Sequence, residues 1–194
     1  MIDVSRVEEA MQILEEIAAV HTKILGNEDD YLRARNAMGI CLADMGKTTE
    51  ALAIFKEVGQ IRKRKLGEKH PSYLSARNDE ATCMFDSGNY EEALKIFTEI
   101  DFIYMEKPSK YPSHHTTKLN LSACLIHLKR FEEALPFLEE IELAHKKKFG
   151  GNKHPDLLKI KHYIGLCWKH LGRRAEGDKL LEIANRLGGP SWEG

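Results

Sequence analysis

Four cysteines and nine histidines among 194 residues are where metal binding or thiol chemistry would reside if the chain performed either. The cysteines stand at Cys41, Cys83, Cys124 and Cys167, separated by 42, 41 and 43 residues. No CxxC pair is present to start a zinc site. The spacing puts one thiol in each structural repeat. Packed helices lie roughly 10 Å apart, whereas a disulfide needs Cα atoms within ~7 Å. The cysteines therefore read as small, semi-apolar packing residues. The histidines offer no better constellation: His114 and His115 diverge on a helix, no HxxxH pair occurs, and His70 and His154 each precede a proline. There is no GxSxG elbow, no phosphate-cradling glycine loop and no HExxH. The expectation is no catalytic residue, no metal and no cofactor.

The basic residues are more unusual. Arg35, Arg77, Lys118 and Lys161 recur at the same interval as the cysteines. Two readings stand side by side. In one they form a ladder of cations for an acidic or carboxylate-bearing peptide, with arginine offering bidentate geometry. In the other their stems cover apolar surface, and their heads pair with glutamates such as Glu80 or the column Glu50, Glu92, Glu133 and Glu176. The runs 62–65 and 146–148 lie in last helical turns, while Glu8-Glu9, Glu91-Glu92 and Glu132-Glu133 are assigned to first turns. That arrangement complements the helix dipole. With a net charge of −1, no global field draws the chain to nucleic acid.

These residues must be held by helices. Apolar positions recur with helical spacing in every segment. The six prolines mostly sit where a helix should start or stop. Helices are expected over residues 4–25, 30–45, 48–66, 71–87, 90–107, 113–128, 130–149, 155–171 and 174–187. Ser5, with Glu8 three residues on, would cap the first. Pro71, behind His70, opens the fourth with its φ already set. Pro136 lies within the seventh and would bend its early turns.

The helices alternate in a register of about 42 residues. Small residues recur at Ala10, Ala51, Ala93, Ala134 and Gly177, and twelve residues earlier at Gly39, Ala81, Ser122 and Gly165. Small side chains at both positions let two helix backbones cross closely. Gly46, Gly88, Lys129 and Gly172 mark the turn between them, and Leu14, Phe55, Phe97, Leu138 and Leu181 supply the large apolar partner. Agreement of several columns without gaps marks a repeat architecture.

Paired helices with this pattern of small and large residues resemble the tetratricopeptide repeat. The long period and the join Leu66-Gly67-Glu68-Lys69-His70-Pro71 resemble the variant of kinesin light chains and nephrocystin-type proteins. The usual Leu-Asn-Asn-Leu-Ala run is only partly kept, since its leading leucine has become the basic column, and Glu28-Asp29 replaces the first His-Pro. The resemblance implies an all-α, right-handed superhelical solenoid of antiparallel helix pairs, about nine helices in one domain of residues 1–194. A lone helix 4–25 would precede repeats at about 30–66, 71–107, 112–149 and 155–187, with a tail at 188–194.

The resemblance also implies that the first helix of each repeat lines the concave face. The positions that would meet a partner are Asn36, Ala37, Ile40, Ala43 and Asp44, then Asn78, Asp79, Thr82, Phe85 and Asp86. Leu119, Asn120, Ala123, Ile126 and His127 follow, and then His162, Tyr163, Leu166, Lys169 and His170. Asparagine amides satisfy both N–H and C=O groups of an extended peptide. Arg77 joins them as the cation nearest the second of these sets. The function expected is a non-catalytic protein–protein interaction scaffold or adaptor taking a peptide or a helix in its groove. The alternatives are a self-associating structural solenoid, forming a homodimer through the open apolar face of the first helix, or a regulatory module of a larger protein. No apolar run approaches the ~20 residues of a membrane span, and the N-terminus is too acidic for a signal peptide. Unpaired thiols then suggest the cytoplasm, with neither membrane nor nucleic acid as partner.

Overall fold

The computed structural model describes residues 4–20, 28–106, 114–149 and 155–186. Among these residues there are nine α-helices and no strand: α1 (Val4–Val20), α2 (Glu28–Asp44), α3 (Thr48–Leu66), α4 (Pro71–Asp86), α5 (Tyr90–Glu106), α6 (His114–His127), α7 (Phe131–Phe149), α8 (Pro155–His170) and α9 (Arg174–Arg186). The expected elements are all present, with ends within a few residues of expectation. The expected extension of α1 to residue 25, His154 and the tail 188–194 lie outside the described residues. The helices fall into two compact units, Met1–Ile96 and Phe97–Gly194.

The register comes from one repeated turn. Gly46, Gly88 and Gly172 have φ of 74, 84 and 87°, and Lys129 has φ of 60°. In each turn the next residue bonds back five positions: Lys47 N–H to Leu42, Asn89 to Met84, Arg130 to Leu125 and Arg173 to Trp168, at 2.8–2.9 Å. That closure of orphan carbonyls by a left-handed residue ends the first helix. The carbonyls of Lys47, Asn89, Arg130 and Arg173 then accept from Ala51, Ala93, Ala134 and Gly177. The small column is thus the first position bonded back to the turn, so turn and crossing cannot slip relative to one another.

At the crossings the need for small residues is steric. A Cβ on Gly39 would stand 2.7 Å from the Phe55 ring, and one on Gly177 would stand 2.7 Å from the Gly165 carbonyl oxygen. In the first unit Leu32, Met38, Leu42, Ile54, Phe55, Val58, Ala76 and Cys83 form the core, with Met11 and Leu14 of α1 packed against it. In the second, Leu121, Cys124, Leu138, Ile141, Leu157, Ile160, Ile164 and Cys167 are buried. All four cysteines are free thiols, and burial pushes Cys124 and Cys167 up to about 12. They are packing residues.

The helix ends carry two corrections and one mechanism. Ser5 falls inside the first turn of α1, so it does not precede the helix as a cap, and that turn holds no acidic residue. Glu8 and Glu9 come a turn later, where their effect on the dipole has largely faded. At α4 the His70 ring acts as the cap: its Nδ1 accepts from Ser72 N–H at 3.1 Å, with Pro71 opening the helix. The His-Pro pair therefore satisfies one orphan amide and supplies one residue that has none. α7 continues through Pro136.

Candidate functional site

The basic column faces inward. Arg35 Nη2 donates to Glu57 Oε2 at 2.6 Å, and Lys118 Nζ pairs with Glu140. Both pairs join a first helix to the second helix of the same repeat, with a spacing of 22 residues. Lys118 is 3 % exposed at its side chain while Glu140 is 57 % exposed, so the lysine stem is packed and only the far end of the pair meets water. Arg77 pairs one turn along its own helix with Glu80, which is itself buried. Lys161 is buried as well. The partners are Glu57, Glu80 and Glu140. Glu80 is the one of these anticipated from sequence by name. Glu133 and Glu176 instead pair with the turn residues Arg130 and Arg173.

The basic run at the end of α3 is similarly occupied. Arg62 Nη1 donates to the Ser72 carbonyl at 3.0 Å, Lys63 pairs with Glu68 at 2.5 Å and Lys65 with Glu28. These contacts tie the end of α3 to the chain that follows or faces it.

With the cations withdrawn, the face shared by α2 and α4 has a different character. Ile40, Ala43, Asp44, Phe55, Asp79, Thr82, Cys83 and Asp86 enclose a cleft of about 220 Å³. Asp44 and Asp86 occupy the same repeat position on α2 and α4. Asn36 Nδ2 donates to Asp79 Oδ2 at 2.8 Å, joining the two helices. Burial raises the Asp79 carboxyl above its ordinary range, with the Asn36 amide and the Arg62 guanidinium acting in the opposite sense. Thr82, which also lines the cleft, donates its hydroxyl to the Asn78 carbonyl at 2.9 Å. Ile40 is 45 % exposed.

Of the residues anticipated for partner contact, the structure brings together Asp79 and Thr82 in this cleft, with Asn36 bonded to its wall. Ile40, Ala43, Asp44 and Asp86, placed on the same face by register, line it too. Asn78 is partly buried on α4, and the Phe85 ring meets Tyr90 edge-on at 5.2 Å. Arg77 lines a separate space of about 310 Å³ with Lys56, Gly59, Lys63, Tyr73 and Glu80. In the second unit Asn120 is partly buried, and His162 and Tyr163 are 5 % and 6 % exposed. Desolvation lowers His162 and raises Tyr163 to about 12. Lys169 is paired with Asp178 at 3.0 Å. His170 stacks on Phe131 with ring centroids 4.3 Å apart.

Phe55 and Cys83 complete the cleft and went unassigned as surface residues, because their periodicity marks them as core. No described group of three or more His, Cys, Asp or Glu could hold a metal ion. No described helix is long and apolar enough to cross a membrane.

Residues 32–100 match the family model of the tetratricopeptide repeat. Solved structures carry the likeness over nearly the whole chain. Nearly identical tetratricopeptide-like repeats of a protein assigned as a kinesin light chain from Podosopora anserina match with a TM-score of 0.73 at 24 % identity, covering 94 % of this chain and 87 % of that one. BtubC (BKLC) of P. vanneervenii matches at 0.63 and 14 % identity, covering 96 % and 91 %. PlcR of Bacillus thuringiensis, solved in complex with the peptide PapR7 and DNA, matches at 0.69 and 14 % identity, covering 95 % and 67 %. At these identities the likeness is one of fold. No curated protein matches the chain by sequence.

Proposed function

We propose that this chain, tetratricopeptide repeat in sequence over residues 32–100 and in fold beyond them, is a non-catalytic protein–protein interaction scaffold. It acts as a cytoplasmic adaptor, taking a peptide or a helix on the face that its first helices present. The observation that carries this reading is the α2–α4 cleft, where Ile40, Ala43 and Phe55 offer apolar surface beside hydrogen-bonding and charged groups. A few apolar anchors bordered by polar groups is the arrangement that peptide grooves use. The fold shared with PlcR, whose structure contains a bound peptide, supports the same reading.

Replacing Ile40→Ser together with Thr82→Ala tests it. Both residues are at least partly exposed, so helix content and Tm are expected to stay close to wild type. Capture of partners from the native cell extract is expected to fall sharply. Unaltered capture by the folded double variant would remove this face as the site.

A second reading rests on α1, where Ile13, Ile17 and Val20 form an exposed apolar stripe at helical spacing. On this reading the stripe packs against a twin. Sedimentation at several concentrations decides it, and a monomer throughout eliminates self-association.

A further inference from the structure

The outer side of α1 carries apolar and acidic residues in one stripe. Ile13, Ile17 and Val20 are exposed there. Glu9 and Glu16, exposed as well, share their face at helical spacing. Met11 and Leu14 turn away from it and pack against the core of the first unit. The stripe is therefore not what holds α1 in place.

The second unit has a recess of matching character. Trp168 of α8 and Glu176, Lys179, Leu180 and Ile183 of α9 surround about 290 Å³. Arg173 pairs with Glu176 and lies over the Trp168 ring, 4.1 Å from its centroid. With Glu176 met in this way, Lys179 gives the lining its net charge, which is positive. Trp168 and Leu180 occupy the repeat positions of Leu42 and Ile54. In the first unit those two are buried, in the core against which α1 packs. In the last repeat the same positions stay partly exposed.

We propose that α1 of one copy docks on the α8–α9 recess of a second copy, laying Ile13, Ile17 and Val20 on Trp168, Leu180 and Ile183 with Glu16 beside Lys179. The proposal rests on the self-association reading and specifies the surface that the stripe meets. Two stripes laid on each other would gather their glutamates at one seam, where like charge opposes contact. The recess offers apolar surface and a cation instead. Each copy presents both surfaces, so the contacts close as a symmetric pair or ring or continue as a chain.

The test is sedimentation of the full chain at rising concentration, with two variants and their equimolar mixture. Ile13→Ser with Ile17→Ser removes the stripe and keeps the recess, and Lys179→Glu with Ile183→Ser does the reverse. All four side chains are at least partly exposed, so both variants should keep their melting curves. Wild type should self-associate, and each variant alone should do so about tenfold more weakly or less. The mixture should recover a one-to-one dimer, because one intact stripe and one intact recess remain. If the recess variant melts early, a charge exchange at two exposed positions decides in its place. Glu16→Lys and Lys179→Glu should each weaken association and restore it when combined in one chain. A folded recess variant that associates unchanged, or a mixture that stays monomeric, overturns the recess as the docking surface while self-association stands. A wild type that is monomeric throughout overturns both.

Discussion

Arg77 shows how one residue can be legible in kind and illegible in purpose. Its place in a basic column fits a ligand ladder as well as an internal brace, because both need a cation on a first helix. The geometry chooses the brace, since Glu80 is 3 % exposed and its side chain meets the Arg77 guanidinium. Removing one partner of a buried pair strands the other charge. Arg77→Ala is therefore expected to cost about 3 kcal/mol in chemical denaturation. Arg77→Ala combined with Glu80→Leu should recover most of the loss. A folded Arg77→Ala protein with unchanged stability and lost peptide binding would return Arg77 to the ligand site.

At the scale of the element, the glycines separate into two kinds that composition does not distinguish. Gly177 lies at a crossing where an added Cβ would meet backbone, the Gly165 oxygen and the Lys169 nitrogen, at 2.7 Å. Backbone cannot swing aside as a side-chain end can. Gly177→Ala must push α8 and α9 apart, with an expected loss of about 1–3 kcal/mol. Gly59 sits inside α3 with nothing within 4 Å of an added Cβ, so only its helix penalty matters. Gly59→Ala is expected to gain about 1 kcal/mol. Thermal denaturation of the two variants should shift Tm in opposite directions, and a shared sign would contradict the crossing geometry.

Across the whole molecule, acid sensitivity should reside in the second unit. His115, His127 and His162 are all held below the ordinary histidine value of 6.5, chiefly by desolvation. Their folded forms bind fewer protons than the unfolded chain in the interval just under that value. Linkage then makes stability rise with pH through that interval and fall on acidification below about 6.5. Asp79 in the first unit is shifted upward from 3.8, so its own contribution has the opposite sign and favours the folded state as pH falls. Tm is expected to be lower at pH 5 than at pH 7. His162→Gln, which cannot ionise, should flatten that slope. A melting temperature that rises on acidification, or a slope untouched by His162→Gln, would mean that these rings are hydrated.

Helix count, turn positions and register were determined by the sequence alone, and for a local reason. A left-handed residue at 46, 88, 129 and 172, followed five positions on by a small one, sets backbone hydrogen bonds that need no distant partner. The face carrying the cleft was legible for the same reason, since rotation about a helix axis follows from counting residues. Tertiary structure decided what lies across from that face. Sequence spacing cannot tell whether Arg35 reaches a ligand or Glu57 on the next helix, because both lie one side-chain length away. It marked Phe55 and Cys83 as core without showing that the core opens between α2 and α4. It placed His162 and Tyr163 on the partner face, yet their neighbours bury them. Burial and charge pairing depend on which helices pack against which, and periodicity along one helix does not carry that.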